Sequence, residues 1–468
     1  MKITSLSVEN AYGHLSFDLT LPEGLTFLIG INGSGKTTAI RLIEALLTPS
    51  LEQLDRIPHD AARLGLEIEG QNISIGSSVR NGQTTIEVPH LGEKLIYQVP
   101  EMDTGIRVEG TKDAIAAYYA SLYAQPSPVL IFLRRTIDTP LFLSLERRNI
   151  AAHFWQSGGR GDVLGEKNAA RHREFFADSV RRRMPAISGM LGASLVDVQV
   201  MIQEIFRRRR AEQERSLTEL REEILLDSFK YQPAAAFFRA VERGEPASNI
   251  LNRRSEVESA LKGAGLTEEK FKPVVDRFFE HISQVYTPVK SGNRKSKSPQ
   301  PDQNILLELA LNKPVIDRVL RLIGSSDRYK RELERMSNPI TQLIELVNGF
   351  FADSNKRLAI DEVGWLYVTT GDSERQSLDI LSSGERQLLV IFGHLAINRE
   401  INKAGIFVID EPELSLHLKW QEIFVDSILA ASPGSQFILA THAPSIVMDR
   451  VDCCVSFDRA MQQGAVDA

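Results

Sequence analysis

The chain has 468 residues, of which 43% are apolar and 25% charged, enough for a substantial core in two or three domains. A formal net charge of −6 excludes a global basic field, so any nucleic-acid surface has to be a local patch. No run approaches the roughly 20 apolar residues of a membrane helix, and the adjacent Cys453 and Cys454 have neither disulfide-framework nor zinc-ligand spacing, so the sequence points to a reduced, cytoplasmic protein without a membrane partner.

Met1 to Asn10 alternates like a strand and lacks the apolar segment of a signal peptide. Residues 1–30 are predicted to hold edge strands at Ile3 to Val8, Leu15 to Leu21 and Thr26 to Ile29. Tyr12 falls in the first turn, and both a surface tyrosine and an aromatic contact to adenosine fit that place. The strand Phe27 to Ile29 runs into Gly30-Ile31-Asn32-Gly33-Ser34-Gly35-Lys36-Thr37-Thr38, which matches the phosphate-binding loop without departure. Gly30, Gly33 and Gly35 let the backbone turn its N–H groups inward around an anion. The following apolar-periodic helix, to Leu47, presents its positive dipole end to the same anion. Lys36 supplies a mobile cation and Thr37 a hydroxyl for Mg²⁺. The expected nucleotide contacts are Gly30, Asn32, Gly33, Ser34, Gly35, Lys36, Thr37 and Thr38, with Mg²⁺ beside the phosphates.

Period-two runs at Leu64 to Glu69, Asn72 to Ile75 and Thr84 to Val88, with a hairpin signal at Asn81-Gly82, predict an antiparallel β-layer on the nucleotide lobe. Val129 to Leu133 is predicted as a buried strand ending at Arg134-Arg135, a solvated terminus or a place to meet a phosphate or a partner. From 140 to 345 the pattern is helical, with apolar positions such as Phe175, Phe176, Val180, Leu217, Leu220, Ile224 and Leu225. Arg181-Arg182-Arg183 and Arg207 to Arg210 are its most basic spots. A solvated helix face is the plain reading of such runs, and a nucleic-acid or partner contact the sharper one. Residues 289–303, basic, polar and free of aromatics, read as a linker, and helix breaks are predicted at Pro314 and Pro339.

Three later stretches decide the class. Leu381-Ser382-Ser383-Gly384-Glu385-Arg386-Gln387 opens an apolar-periodic helix, so Ser382, Ser383 and Gly384 form either a helix cap or a second anion site. Two chains arranged head to tail would use such a site, each closing the other's phosphate loop. Ile406 to Ile409 is a buried strand ending in Asp410-Glu411, carboxylates placed at the carboxyl end of a sheet beside the phosphate loop. Asp410 would hold the metal and Glu411 would polarise the attacking water. Phe437 to Ala440 is another buried strand, ending in Thr441-His442, and His442 could bond the γ-phosphate.

In this order the motifs resemble those of ABC-type ATPase heads, over roughly residues 1–50 and 345–450. The long interval between Lys36 and Ser382 looks like the SMC-like and OLD-like branch. Asp410-Glu411-Pro412-Glu413-Leu414-Ser415-Leu416-His417, Lys419-Trp420-Gln421 and Ala440-Thr441-His442-Ala443-Pro444 are similar to the stand-alone ATPase subunits of anti-phage systems of the PARIS and Septu type, as is Ile131-Phe132-Leu133 with Arg134-Arg135. The resemblance implies an α/β fold: an ABC-type P-loop head, mixed sheet plus antiparallel layer, with a large helical insertion. The expected division is 1–139 and 346–468 for the two halves of the head and 140–345 for the insertion. It further implies a head-to-tail dimer or larger homo-oligomer that hydrolyses ATP and controls a separate effector, a nuclease, in bacterial anti-phage defence. An SMC-like DNA-binding or repair ATPase, gripping DNA through the insertion, is the alternative. The sequence departs from the family in offering only Gln98 for the glutamine near Mg²⁺ and in carrying Glu385 where glutamine is commonest.

Overall fold

The computed structural model describes residues 1–100, 109–137, 140–143, 190–228, 252–263, 266–290, 303–371, 375–398 and 405–457. The alternating runs near the N-terminus form a six-stranded antiparallel sheet from β1 (Lys2–Ala11), β2 (Leu15–Thr20), β4 (Ala61–Ile68), β5 (Gln71–Arg80), β6 (Gln83–Val88) and β7 (Glu93–Gln98), in the order β2-β1-β4-β5-β6-β7. The β5–β6 hairpin turns at Asn81 and Gly82, whose φ values of 51° and 73° are those the sequence signal requires. A second, all-parallel sheet has the order β13 (Cys454–Ser456), β3 (Leu25–Ile29), β12 (Gln436–Ala440), β11 (Ile406–Asp410) and β8 (Leu141–Leu143), and β9 (Lys356–Ile360) pairs with β10 (Leu366–Thr370) alone. Every residue of β11 and β12 is buried, as expected when both faces of a parallel sheet are covered.

The two sheets are stitched together by Gln436. Its side chain accepts from the Ile3 amide and donates to the Ile3 carbonyl, both at 2.8 Å, so β12 of one sheet is keyed to β1 of the other. The shared core includes Leu6, Leu28, Ile40, Ile43, Leu64, Val408 and Ile438. This packing revises the edge-strand expectation: β1 lies between β2 and β4, and β3 between β13 and β12.

Helices α1 (Lys36–Leu47) and α2 (Leu51–Asp55) follow β3, and between β7 and β8 come α3 (Glu109–Ala124) and α4 (Pro128–Thr136). The second of these corrects the predicted strand at Val129 to Leu133. Pro128 occupies the first helical turn, where its missing N–H costs nothing, and Val129, Leu130 and Leu133 are buried while Ile131 is exposed. Arg134 and Arg135 lie in the last turn, where cations suit the helix dipole, and the Arg134 guanidinium sits 5.3 Å from the Tyr123 ring centroid.

The described residues pack into two compact units, 1–203 with 339–468, and 204–338. Helices α5 (Met190–Ser228), α6 (Arg254–Gly263), α7 (Glu268–Lys290) and α8 (Gln303–Phe351) supply the helical region. The second unit has its own core of Val257, Phe271, Val275, Phe279, Ile282, Ile316 and Ile323. In it Arg207 and Arg208 both pair with Glu204, and Arg209 stacks over Phe206. Helix α8 runs through Pro314 and Pro339 without ending, against expectation. One lost backbone donor is survivable where the turns beyond it are anchored, here by buried Ile340, Leu343, Val347 and Phe350. Phe175, Phe176, Val180, Arg181 to Arg183 and residues 291–302 of the expected linker lie outside the described residues.

Candidate active site

The phosphate-binding loop leaves β3 at Ile29 and enters α1 (Lys36–Leu47). Gly33 and Gly35 have φ of 83° and 102°, conformations that favour glycine, and Gly35 is the residue that starts the helix. A Cβ on Gly30 would lie 2.6 Å from Ser34 Oγ, so this glycine makes room for the loop to fold on itself. Asn32 and Gly33 are exposed, whereas Ser34, Gly35 and Lys36 are buried. The Lys36 ammonium bends back and donates to the carbonyls of Gly30 at 2.8 Å and Ile31 at 3.1 Å. Among the described residues, Ser34 Oγ is buried with no hydrogen-bond partner. The first turn of α1 carries no acidic side chain that would compete for an anion.

Strand β12 lies between β3 and β11, so the residues after all three strands meet at one carboxyl edge of the sheet. Thr37 Oγ1 donates to Asp410 Oδ2 at 3.0 Å. Asp410 is buried, and its Oδ1 accepts no hydrogen bond among the described residues. Burial pushes the Asp410 carboxyl up to about 6. The neighbouring Glu411 charge pushes the same way, while the Thr37 hydroxyl, Arg41 and Lys36 oppose it. A lone oxygen beside a hydroxyl, on a carboxylate held back from full ionisation, is chemistry that a small divalent cation relieves.

Glu411 adopts φ of 50°, a left-handed conformation costly for a side chain of its size, and its amide donates to the Ala440 carbonyl at 2.8 Å. The backbone therefore turns off the line of β11 at Glu411, just past the strand's last residue. His442 follows β12 with its side chain half exposed, and its Nδ1 lies 3.2 Å from Glu413 Oε1. The sequence reading missed Glu413. A carboxylate inside the turn after Pro412 looks solvated in one dimension, and only folding shows it to be buried.

Ser382 caps α9 (Ser383–Ile397) in a full capping box: its Oγ accepts the Glu385 amide, and its own amide donates to Glu385 Oε2 at 2.6 Å. Glu385 is also ion-paired with Lys356 at 2.8 Å, and the two bonds hold its carboxyl below its ordinary range despite burial. Glutamine would lack the charge that Lys356 meets, which accounts for a glutamate at this position. Ser382 and Ser383 are exposed while Gly384 is buried. A Cβ on Gly384 would come within 2.1 Å of the Ser415 carbonyl, so the turn after β11 lies directly on this helix start. Within one chain, then, Lys36, Thr37 and Asp410 come together, while the hydrogen bonds of Ser382 serve its own helix. Gln98 ends the edge strand β7 of the antiparallel sheet with its side chain exposed.

A family model described as "AAA domain, putative AbiEii toxin, Type IV TA system" matches residues 191–449. The chain is 26% identical over 165 residues to the "Retron Ec83 probable ATPase" of Escherichia coli, covering 30% of each protein. It is 36% identical over 76 residues to the "Retron Vc95 probable ATPase" of Vibrio cholerae, 14% of this chain and 15% of that one. It is 26% identical over 166 residues to "Endonuclease GajA" of Bacillus cereus, 33% of this chain and 27% of that one. The chain thus spans less than a third of the length of these relatives.

Proposed function

The chain belongs to this AAA-domain family, and from that membership we propose that it is an ABC-type ATPase that binds ATP with Mg²⁺ and hydrolyses it between two copies arranged head to tail. The observation that carries the reading is the Thr37–Asp410 hydrogen bond, made beside a buried carboxylate oxygen that is left without a partner at the mouth of the phosphate-binding loop. Thr37 and Asp410 would hold the cation, which would supply charge neutralisation at the phosphate oxygens.

The remaining roles follow from the residues. Lys36 exchanges its two neutral carbonyl acceptors for anionic phosphate oxygens, so that its ammonium bonds an opposite charge. The glycine-rich backbone and the open end of α1 supply N–H donors. Glu411, at the left-handed turn that follows β11, orients the attacking water, and His442 contacts the γ-phosphate. Ser382, Ser383 and Gly384 act from the second copy, because the exposed serines offer donors that their own chain's loop does not use. The likeness to retron ATPases and to GajA supports a role in anti-phage defence, with a separate effector, a nuclease, under the control of the nucleotide state.

The test measures nucleotide affinity and mass together. Lys36→Ala loses ATP binding, whereas Glu411→Gln binds ATP and accumulates as a dimer by light scattering. Wild-type turnover by Glu411→Gln, or ATP binding undiminished by Lys36→Ala, refutes the reading.

A further inference from the structure

The carboxylate that touches His442 is not the one ending strand β11. Glu413 is 7% exposed. Its Oε1 accepts the His442 amide at 3.1 Å and lies 3.2 Å from the ring Nδ1. Its Oε2 is buried with no hydrogen-bond partner among the described residues, so one oxygen does both jobs. The backbone around Glu413 is held as firmly. Gln421, in α10 (Leu418–Ala431), donates to the carbonyls of Glu413 at 3.3 Å and Leu416 at 2.9 Å. Ser445, in α11 (Pro444–Val447), donates in turn to Gln421 Oε1. Thr441 Oγ1 accepts the Ala443 amide at 3.0 Å. The two stretches Glu413 to Gln421 and Thr441 to Ser445 therefore form one hydrogen-bonded unit with His442 at its exposed corner.

We propose that Glu413 is the positioning residue for His442, fixing the ring's orientation and holding it in the Nδ1–H form so that Nε2 is left as the nitrogen available to a ligand. The physical reason is electrostatic. A bare Nδ1 lone pair facing a carboxylate oxygen at 3.2 Å is repulsive, whereas an Nδ1 proton there is attractive, so the carboxylate selects the tautomer. A buried oxygen already aligned by a backbone amide makes that selection rigid, as carboxylates behind reactive histidines do elsewhere. The consequence for turnover rests on the reading of His442 as the γ-phosphate contact; the tautomer assignment does not.

The decisive measurement is ring ¹⁵N NMR of histidine-labelled protein at alkaline pH, with the His442 signals identified by their loss in His442→Asn. The expected result is a protonated Nδ1 and a bare Nε2. Glu413→Leu moves the proton to Nε2, the form free imidazole favours, and Glu413→Gln, which keeps an acceptor oxygen, retains Nδ1–H. A wild-type ring protonated on Nε2, or a Glu413→Leu ring unchanged from wild type, overturns the proposal. In turnover assays Glu413→Leu lowers kcat about 10- to 100-fold with KM little changed, and adding it to His442→Ala costs nothing more. Independent, multiplying losses overturn the link to His442. If the wild-type chain hydrolyses no ATP, the functional reading fails while the tautomer measurement still decides the role of Glu413.

Discussion

Asp410→Asn should make the nucleotide-free protein more stable at pH 8 and destroy its response to Mg-ATP. Burial, first, lifts the Asp410 carboxyl from 3.8 to about 6, and the nearby Glu411 charge adds to it. A group whose folded value lies above its unfolded value contributes most to stability below the unfolded value, and that contribution is lost as pH rises through the folded one. Ionised Asp410 therefore costs the folded state at most about 3 kcal/mol, at 1.36 kcal/mol for each tenfold change. Asparagine has nearly the same shape, still accepts from Thr37, and is never charged. Its advantage should be fully expressed well above pH 6, shrink between pH 6 and 4, and vanish below the unfolded value. Urea denaturation followed by the fluorescence of Trp365 and Trp420, which lie in the same unit as Asp410, reads this directly. An advantage of about 3 kcal/mol moves the midpoint by about 1 M at a slope near 3 kcal/mol/M. With Mg-ATP at about 1,000 times its dissociation constant the ranking reverses, because only the wild type gains the roughly 4.1 kcal/mol of ligand linkage. An asparagine variant that is less stable at pH 8, or an advantage that does not change with pH, would show that the site is not held in electrostatic tension for a cation.

The other predictions use single contacts. Gly384→Ala drives a methyl into the Ser415 carbonyl at 2.1 Å and should destabilise by about 1–3 kcal/mol; an unchanged urea midpoint would mean that the two segments do not touch. Gly393→Val should be worse, because even a Cβ there meets both Val198 methyls at 2.7 Å, and the same denaturation assay measures it. Asp55 accepts the hydroxyls of Thr84, Tyr97 and Tyr119, so Asp55→Ala leaves three buried donors without their acceptor and should cost about 3 kcal/mol or more in urea denaturation. Tyr119→Phe removes only one of those bonds and should cost about 1 kcal/mol.

The elements legible in the sequence are those whose cause is local. Gly30 to Thr37 could be placed because three glycines, a lysine and a threonine at fixed spacing have one physical use together. Asn81-Gly82 could be placed because two consecutive left-handed residues make one kind of hairpin. The misreadings share the opposite property. Val129 to Leu133 is apolar enough for either a strand or a buried helix turn, and what settles it is the surface it packs on, with Leu141–Leu143 taking the strand position in the sheet. Pro339 breaks a helix in isolation, but the apolar face beyond it, from Ile340 to Phe350, is buried and carries the helix onward.

The one-dimensional chain by itself determined the phosphate loop, the acidic and histidine strand ends, and the existence of an antiparallel layer, because glycine freedom, charge and period-two burial act within a few residues. Tertiary structure alone decided that β12 stands between β3 and β11, that Thr37 reaches Asp410 across 373 positions, and that Glu413, not Glu411, faces His442. Those facts depend on which buried surfaces meet, and burial between distant segments leaves no mark in the spacing of either one.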